Sequence, residues 1–149
     1  MNLFGHWSPS DFIREAGEFC TMIQESYGLD LDYSPDSLRQ LEELIGVHFG
    51  PGSADENPAL IVSMGCYVGE VIIRSHGGRW APNEEFFNQP AVVIEGKLQT
   101  HAFPIGRVWK RFEYGAAQSL VAYHEEIMRT LATMAKGAVR GTPGSSQLN

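Results

Sequence analysis

The 149-residue sequence predicts an α+β domain in which a central buried helix packs on a small antiparallel sheet with flanking helices. Three observations carry that expectation. Residues 58–75 are apolar around nearly the whole helical circumference, the mark of a helix enclosed by other elements. Short runs of strand-forming residues cluster between 79 and 103, separated by Gly and Pro. Strands and helices do not alternate in the βαβ order that a parallel sheet requires.

The first helix is expected to start at Ser8, with Pro9 in its first turn and Asp11 three residues after the cap. Phe12, Ala16, Phe19, Ile23 and Tyr27 recur at helical spacing, Ile13 and Cys20 widen the stripe, and Gly28 supplies a left-handed stop. An extended link over 29–33 leads to Ser34-Pro35, which opens a second helix with Leu38, Leu41, Leu44 and Ile45 inward. Asp36, Arg39, Glu42 and Glu43 are placed in water. A Gly-Pro-Gly-Ser loop over 50–53 precedes Asn57-Pro58, the start of the central helix.

In that helix Leu60, Ile61, Met64, Tyr67, Val68, Val71 and Ile72 form one stripe, while Val62, Gly65, Cys66, Gly69 and Ile73 keep the opposite side small or apolar. Gly65 and Gly69 share a face and admit close approach by another element, either within the domain or from a second subunit of a homo-oligomer. A strand is expected at Arg79-Trp80-Ala81, then a loop containing Pro82 and Pro90. Residues 91–94 and 97–103 read as a hairpin about Glu95-Gly96. A short helix from Pro104 turns Ile105, Val108, Trp109 and Phe112 inward and Lys110 and Arg111 outward; a last helix covers about 116–134. Residues 1–136 thus form one domain, and 137–149 a flexible tail.

A chain of this length buries roughly 68–70% of its unfolded surface, enough for a core without disulfides or metal. The net charge of −7 repels phosphate backbones, so nucleic acid is not an expected partner. It also speaks against a polybasic membrane anchor. The apolar run of the central helix is interrupted by Glu70 and Arg74 and is shorter than the ~20 residues of a membrane span. Residues 1–10 carry neither a basic nor an apolar leader region, which points to the cytoplasm. Cys20 and Cys66 form no C-x-x-C or Cys/His ligand spacing and read as buried free thiols, at home in a reducing compartment.

Glu70 is the chief polar candidate. A carboxylate in the most buried helix must be paired or neutral. Arg74 lies at i+4; Arg79, Lys110 and Arg111 are more distant options. Two readings are open: a general acid, base or ligand-orienting group, or a structural ion pair locking the helix to the 104–114 segment. His6, His48, His76, His101 and His124 show no ligand spacing, and no nucleotide-binding or cofactor motif is present, so neither a metal nor a cofactor is implied. Gly65-Cys66-Tyr67-Val68-Gly69 superficially matches a nucleophile elbow, yet sits within a helix and not on a strand-to-helix turn. Trp80 and Trp109 read as core, and Trp7 as partly exposed.

Several segments taken together, Leu31-Asp32-Tyr33-Ser34-Pro35-Asp36-Ser37-Leu38, Gly65-Cys66-Tyr67-Val68-Gly69-Glu70-Val71-Ile72, Gly77-Gly78-Arg79-Trp80 and Phe103-Pro104-Ile105-Gly106-Arg107-Val108-Trp109-Lys110-Arg111, continuing from Gly115 to Leu120, resemble a family of uncharacterised bacterial proteins. The resemblance spans about residues 29–125 and implies a bacterial cytoplasmic protein. It brings no activity with it; its recurring residues are Glu70, Trp80, Lys110 and Arg111.

Two functions follow as expectations. Small size, acidity and lack of a catalytic motif favour a non-enzymatic protein-binding or accessory domain, immunity-like, with a protein partner. The alternative is a small-molecule-binding protein or enzyme using Glu70 with Lys110 and Arg111 at a pocket.

Overall fold

The structure, a computed structural model, describes residues 4–86, 89–137 and 145–148. Helix α1 spans Pro9–Tyr27. Its start is fixed as the sequence requires: the Ser8 backbone N–H donates to the Asp11 carboxylate at 2.7 Å, and this bond holds the Asp11 carboxyl below its usual range. Gly28 ends the helix at φ 69°. Phe12, Ala16, Phe19 and Ile23 are buried, while Ile13 and Tyr27 reach the surface.

Helix α2, Pro35–His48, is capped by Ser34, whose Oγ accepts the Ser37 N–H. The link before it is not extended throughout. Tyr33 has φ 64°, a conformation uncommon for a residue with a side chain. It is held there by the Tyr67 hydroxyl, which accepts the Tyr33 N–H at 2.9 Å, and by ring stacking on Tyr67 at 4.8 Å. A 3-10 turn at Ala54–Glu56, not foreseen in the sequence, leads into α3, Pro58–His76.

Helix α3 is the centre of the molecule. Every residue from Met64 to Ile72 is buried. It is the one helix, among the described residues, long and apolar enough to cross a membrane by length and composition, and it is enclosed by α1, by the sheet and by helix α4, Pro104–Tyr114. Its glycines permit this closeness. A Cβ on Gly65 would stand 2.6 Å from the Ile105 Cα, and one on Gly69 would stand 2.1 Å from the Trp80 ring. The glycine face is therefore filled from within the domain, and a second subunit does not pack there.

Strands β1 (Arg79–Phe86), β2 (Gln89–Ile94) and β3 (Gln99–Ala102) form an antiparallel meander, with Trp80 opposite Val92 and Val92 opposite Ala102. β1 extends beyond the expected stop at Pro82. It is an edge strand, where a proline costs no ladder bond, and its register shifts between Ala81 and Phe86. Trp80, Val92, Ile94 and Ala102 face the main core; Ala81, Ala91, Val93 and Phe103 form a smaller cluster. Helix α5, Leu120–Gly137, completes the body, with Leu120, Tyr123 and Ile127 buried. Residues 145–148, within the segment expected as a tail, run as β4 parallel to β3; 138–144 and 149 lie outside the described residues.

Candidate functional site

Of the five polar residues singled out in the sequence, Glu70 and Arg74 pair with each other, while Arg79, Lys110 and Arg111 lie elsewhere. Glu70 is 4% exposed, and its carboxylate is engaged. The Trp80 indole N–H donates to Oε2 at 3.0 Å, and Arg74 Nε lies 3.6 Å from Oε1. Trp80 also stacks on Phe12 with ring centroids 4.3 Å apart and planes 9° from parallel. The indole is thus wedged between α1 and α3, and Glu70 fixes its polar edge. Arg74 lies over the Tyr33 ring, 3.5 Å from its centroid, as a cation on a π face. Arg79 is at the surface, 3.2 Å from Glu95.

Arg111 overturns its expected orientation. It points inward and is 5% exposed, while Trp109, expected inside, is 38% exposed. The reason is Glu42 on α2, expected in water but only 15% exposed at its side chain. Arg111 Nε donates to both Glu42 oxygens, at 3.2 and 3.0 Å, and the Leu120 backbone N–H donates to Oε1 at 2.6 Å. One carboxylate therefore ties together α2, α4 and the first residue of α5. Glu42 lies four residues after Leu38 and three before Ile45, so the periodicity held a signal of burial. Its sign of charge led to the opposite placement.

Two further polar groups were not paired by sequence reasoning. His76 ends α3 and His124 lies in α5, yet their Nε2 atoms are 2.9 Å apart. One neutral ring donates and the other accepts. Burial lowers the pKa of both, and His76 lowers that of His124 further, whereas Glu125 acts in the opposite sense. Cys66 is fully buried in α3, and burial pushes its thiol up to about 12, which makes it a packing residue and no nucleophile.

Lys110 is placed differently from Glu70 and Arg111. It borders a pocket of about 470 Å³ that opens where α3, α4, the 3-10 turn and β2 meet. Ile61, Val62, Pro90, Ile105 and the Trp109 ring make its apolar lining. Asp55 stands at the same rim, and Gln89 is also a lining residue, with a side-chain oxygen closed to solvent and without a hydrogen-bond donor. Among the described residues Lys110 has no ion-pair partner. The Trp109 ring is met edge-on by Tyr114, which is 61% exposed, at 5.9 Å. A concave apolar surface with a few polar groups on it is the usual form of a binding site. Among the described residues no group of three or more His, Cys, Asp or Glu could hold a metal ion.

No family model matches the chain, and neither a curated protein nor a solved structure shows significant similarity to it.

Proposed function

We propose that this is a non-enzymatic binding protein of the bacterial cytoplasm, an accessory or immunity-like domain that recognises another protein through the pocket bordered by Trp109 and Lys110. The observation that carries the reading is Trp109: a helix-borne indole, 38% exposed, on the lip of an apolar cavity. Tryptophan and tyrosine in such positions supply much of the affinity of protein interfaces. The commitment of Glu70 and Arg111 to internal bonds supports binding over catalysis, because neither the Glu70 carboxylate nor the Arg111 guanidinium lines the pocket. The net charge of −7 favours a basic partner and a salt-sensitive encounter. The free thiols Cys20 and Cys66 agree with a reducing compartment.

The test is affinity capture from lysate of the source organism at low and high salt, run in parallel with wild-type protein and Trp109→Ala. Each captured protein is then purified and titrated. The expected result is one stoichiometric partner that weakens with salt and loses affinity by about 30-fold, some 2 kcal/mol, in the variant. A partner that binds both proteins equally, or no partner at either salt, sinks the reading.

A further inference from the structure

We infer that the pocket recognises the C-terminus of its partner, specifically a chain that ends in a large apolar residue with a free carboxylate. The inference rests on the binding reading above and goes on to name what enters the pocket. Three features of the cavity are left over by the fold, and each asks for a different part of the same ligand.

The first is the apolar lining. Ile61, Val62, Pro90, Ile105 and Trp109 border an open pocket of about 470 Å³, which accepts one large aliphatic or aromatic side chain together with its backbone. The second is Lys110. The residue is partly buried at the edge of that lining, and it has no ion-pair partner among the described residues. Among the described residues Arg14, Arg39, Arg74, Arg79, Arg107 and Arg111 each lie within 4 Å of a carboxylate; Lys97, Arg129 and Lys136, like Lys110, have no ion pair, and of these four only Lys110 borders this pocket. An ammonium left unpaired beside an apolar cavity is complementary to an anion brought in by a ligand. The third is Gln89, a residue of the same wall, whose side-chain oxygen has no donor and is closed to solvent in the unliganded pocket, so that a rotation of the side chain presents it to a ligand. A buried acceptor left without a donor is unfavourable, and a ligand N–H that reaches it removes that cost.

A carboxylate, an amide N–H and an apolar side chain are all carried by the last residue of a polypeptide. Capture of a C-terminal carboxylate is also a recurrent way for a small domain to read a partner. Asp55 stands at the solvent edge of the pocket and suits a basic residue a little upstream of the terminus, in accord with the acidity of the whole chain.

The experiment uses the full-length protein and fluorescein-labelled pentapeptides of alanine and lysine that end in Leu, Ile, Phe or Trp. Each is made with a free carboxylate and as the C-terminal amide, and binding is read by fluorescence anisotropy. At least one free-acid peptide is expected to bind, with a loss of tenfold or more on amidation. A similar loss is expected on replacing the last residue by Ala and in the Lys110→Met protein. Gln89→Leu should weaken the acid and amide forms by the same factor. Comparison of acid with amide needs no variant, so a misfolded mutant cannot mask the answer. Equal binding of acid and amide, or no binding by any peptide, overturns the inference. So does N-acetylleucine binding as tightly as the best peptide, which would assign the pocket to a free small molecule. If the captured partner is lost in Trp109→Ala while acid and amide peptides behave alike, the binding-protein reading stands and only the C-terminal assignment falls.

Discussion

Arg111 Nε donates to Glu42 across 3.0 Å, with the two side chains only 5% and 15% exposed, so two helices far apart in sequence share a nearly dry ion pair. Removing one partner leaves the other charge buried and uncompensated. Arg111→Met is expected to cost about 3–5 kcal/mol. The double variant Arg111→Met with Glu42→Gln keeps an acceptor for the Leu120 N–H and should recover most of that loss. Urea unfolding at constant slope measures both; a single variant as stable as wild type removes the pair from any structural role.

Glu70 separates into two functions by substitution. Glu70→Gln retains an oxygen for the Trp80 indole and loses only the pairing with Arg74, a side chain that is 48% exposed. Its expected cost is about 1 kcal/mol. Glu70→Leu strands a buried indole N–H and should cost about 1–3 kcal/mol. Denaturation curves give the stabilities, and partner capture gives the function. A stable Glu70→Gln protein that no longer captures its partner would move Glu70 from a clamp to the binding site.

Three glycine-to-alanine variants probe packing against propensity. At Gly69 the new methyl meets the Trp80 ring at 2.1 Å, and at Gly65 it meets the Ile105 backbone at 2.6 Å. Each should destabilise by about 1–3 kcal/mol or more through overpacking. At Gly17, in the middle of α1, nothing lies within 4 Å, and the alanine should stabilise by about 0.5–1 kcal/mol. Thermal melts of the three give the order directly; stabilisation at Gly69 would contradict the close approach of Trp80.

The His76 and His124 pair makes stability depend on acidity. Both folded-state pKa values lie below the ordinary 6.5, so the unfolded chain binds protons first as pH falls. The pair's contribution is complete above 6.5, declines as pH drops below it and is gone beneath the folded-state values. Melting temperatures across neutral to mildly acidic pH should show this decline, and His124→Gln should flatten it. An unchanged slope in that variant assigns the acid sensitivity to other groups.

The parts of the fold legible in the sequence are those set by local chemistry. The cap of α1 needs only Ser8 and Asp11, its stop needs only Gly28, and the burial of α3 follows from residues that are neighbours along one helix. The errors lie where a distant partner decides. On α4, Trp109 and Arg111 both flank the buried row of Ile105, Val108 and Phe112, and local hydrophobicity favours turning the indole in. The acid waiting on α2 reverses the choice, and 69 residues separate it from Arg111. The histidine pair, 48 residues apart, has no local signature either. Of the polar cluster, the i+4 relation of Glu70 with Arg74 was readable, whereas the Trp80 bond to Glu70 depends on how β1 returns to α3.

The position of α3 in the chain bears on how the protein is made. Helix α1 precedes it and covers one side, but β1, β2 and α4, which cover the rest, all follow it. At roughly 5–20 residues per second of synthesis, the Gly65 and Gly69 face of the most apolar helix stays bare for several seconds after His76 has been added. Ribosome-bound chains that end near His76 should accordingly engage chaperones, and release should coincide with the emergence of α4, when Ile105 and Trp80 close over the two glycines.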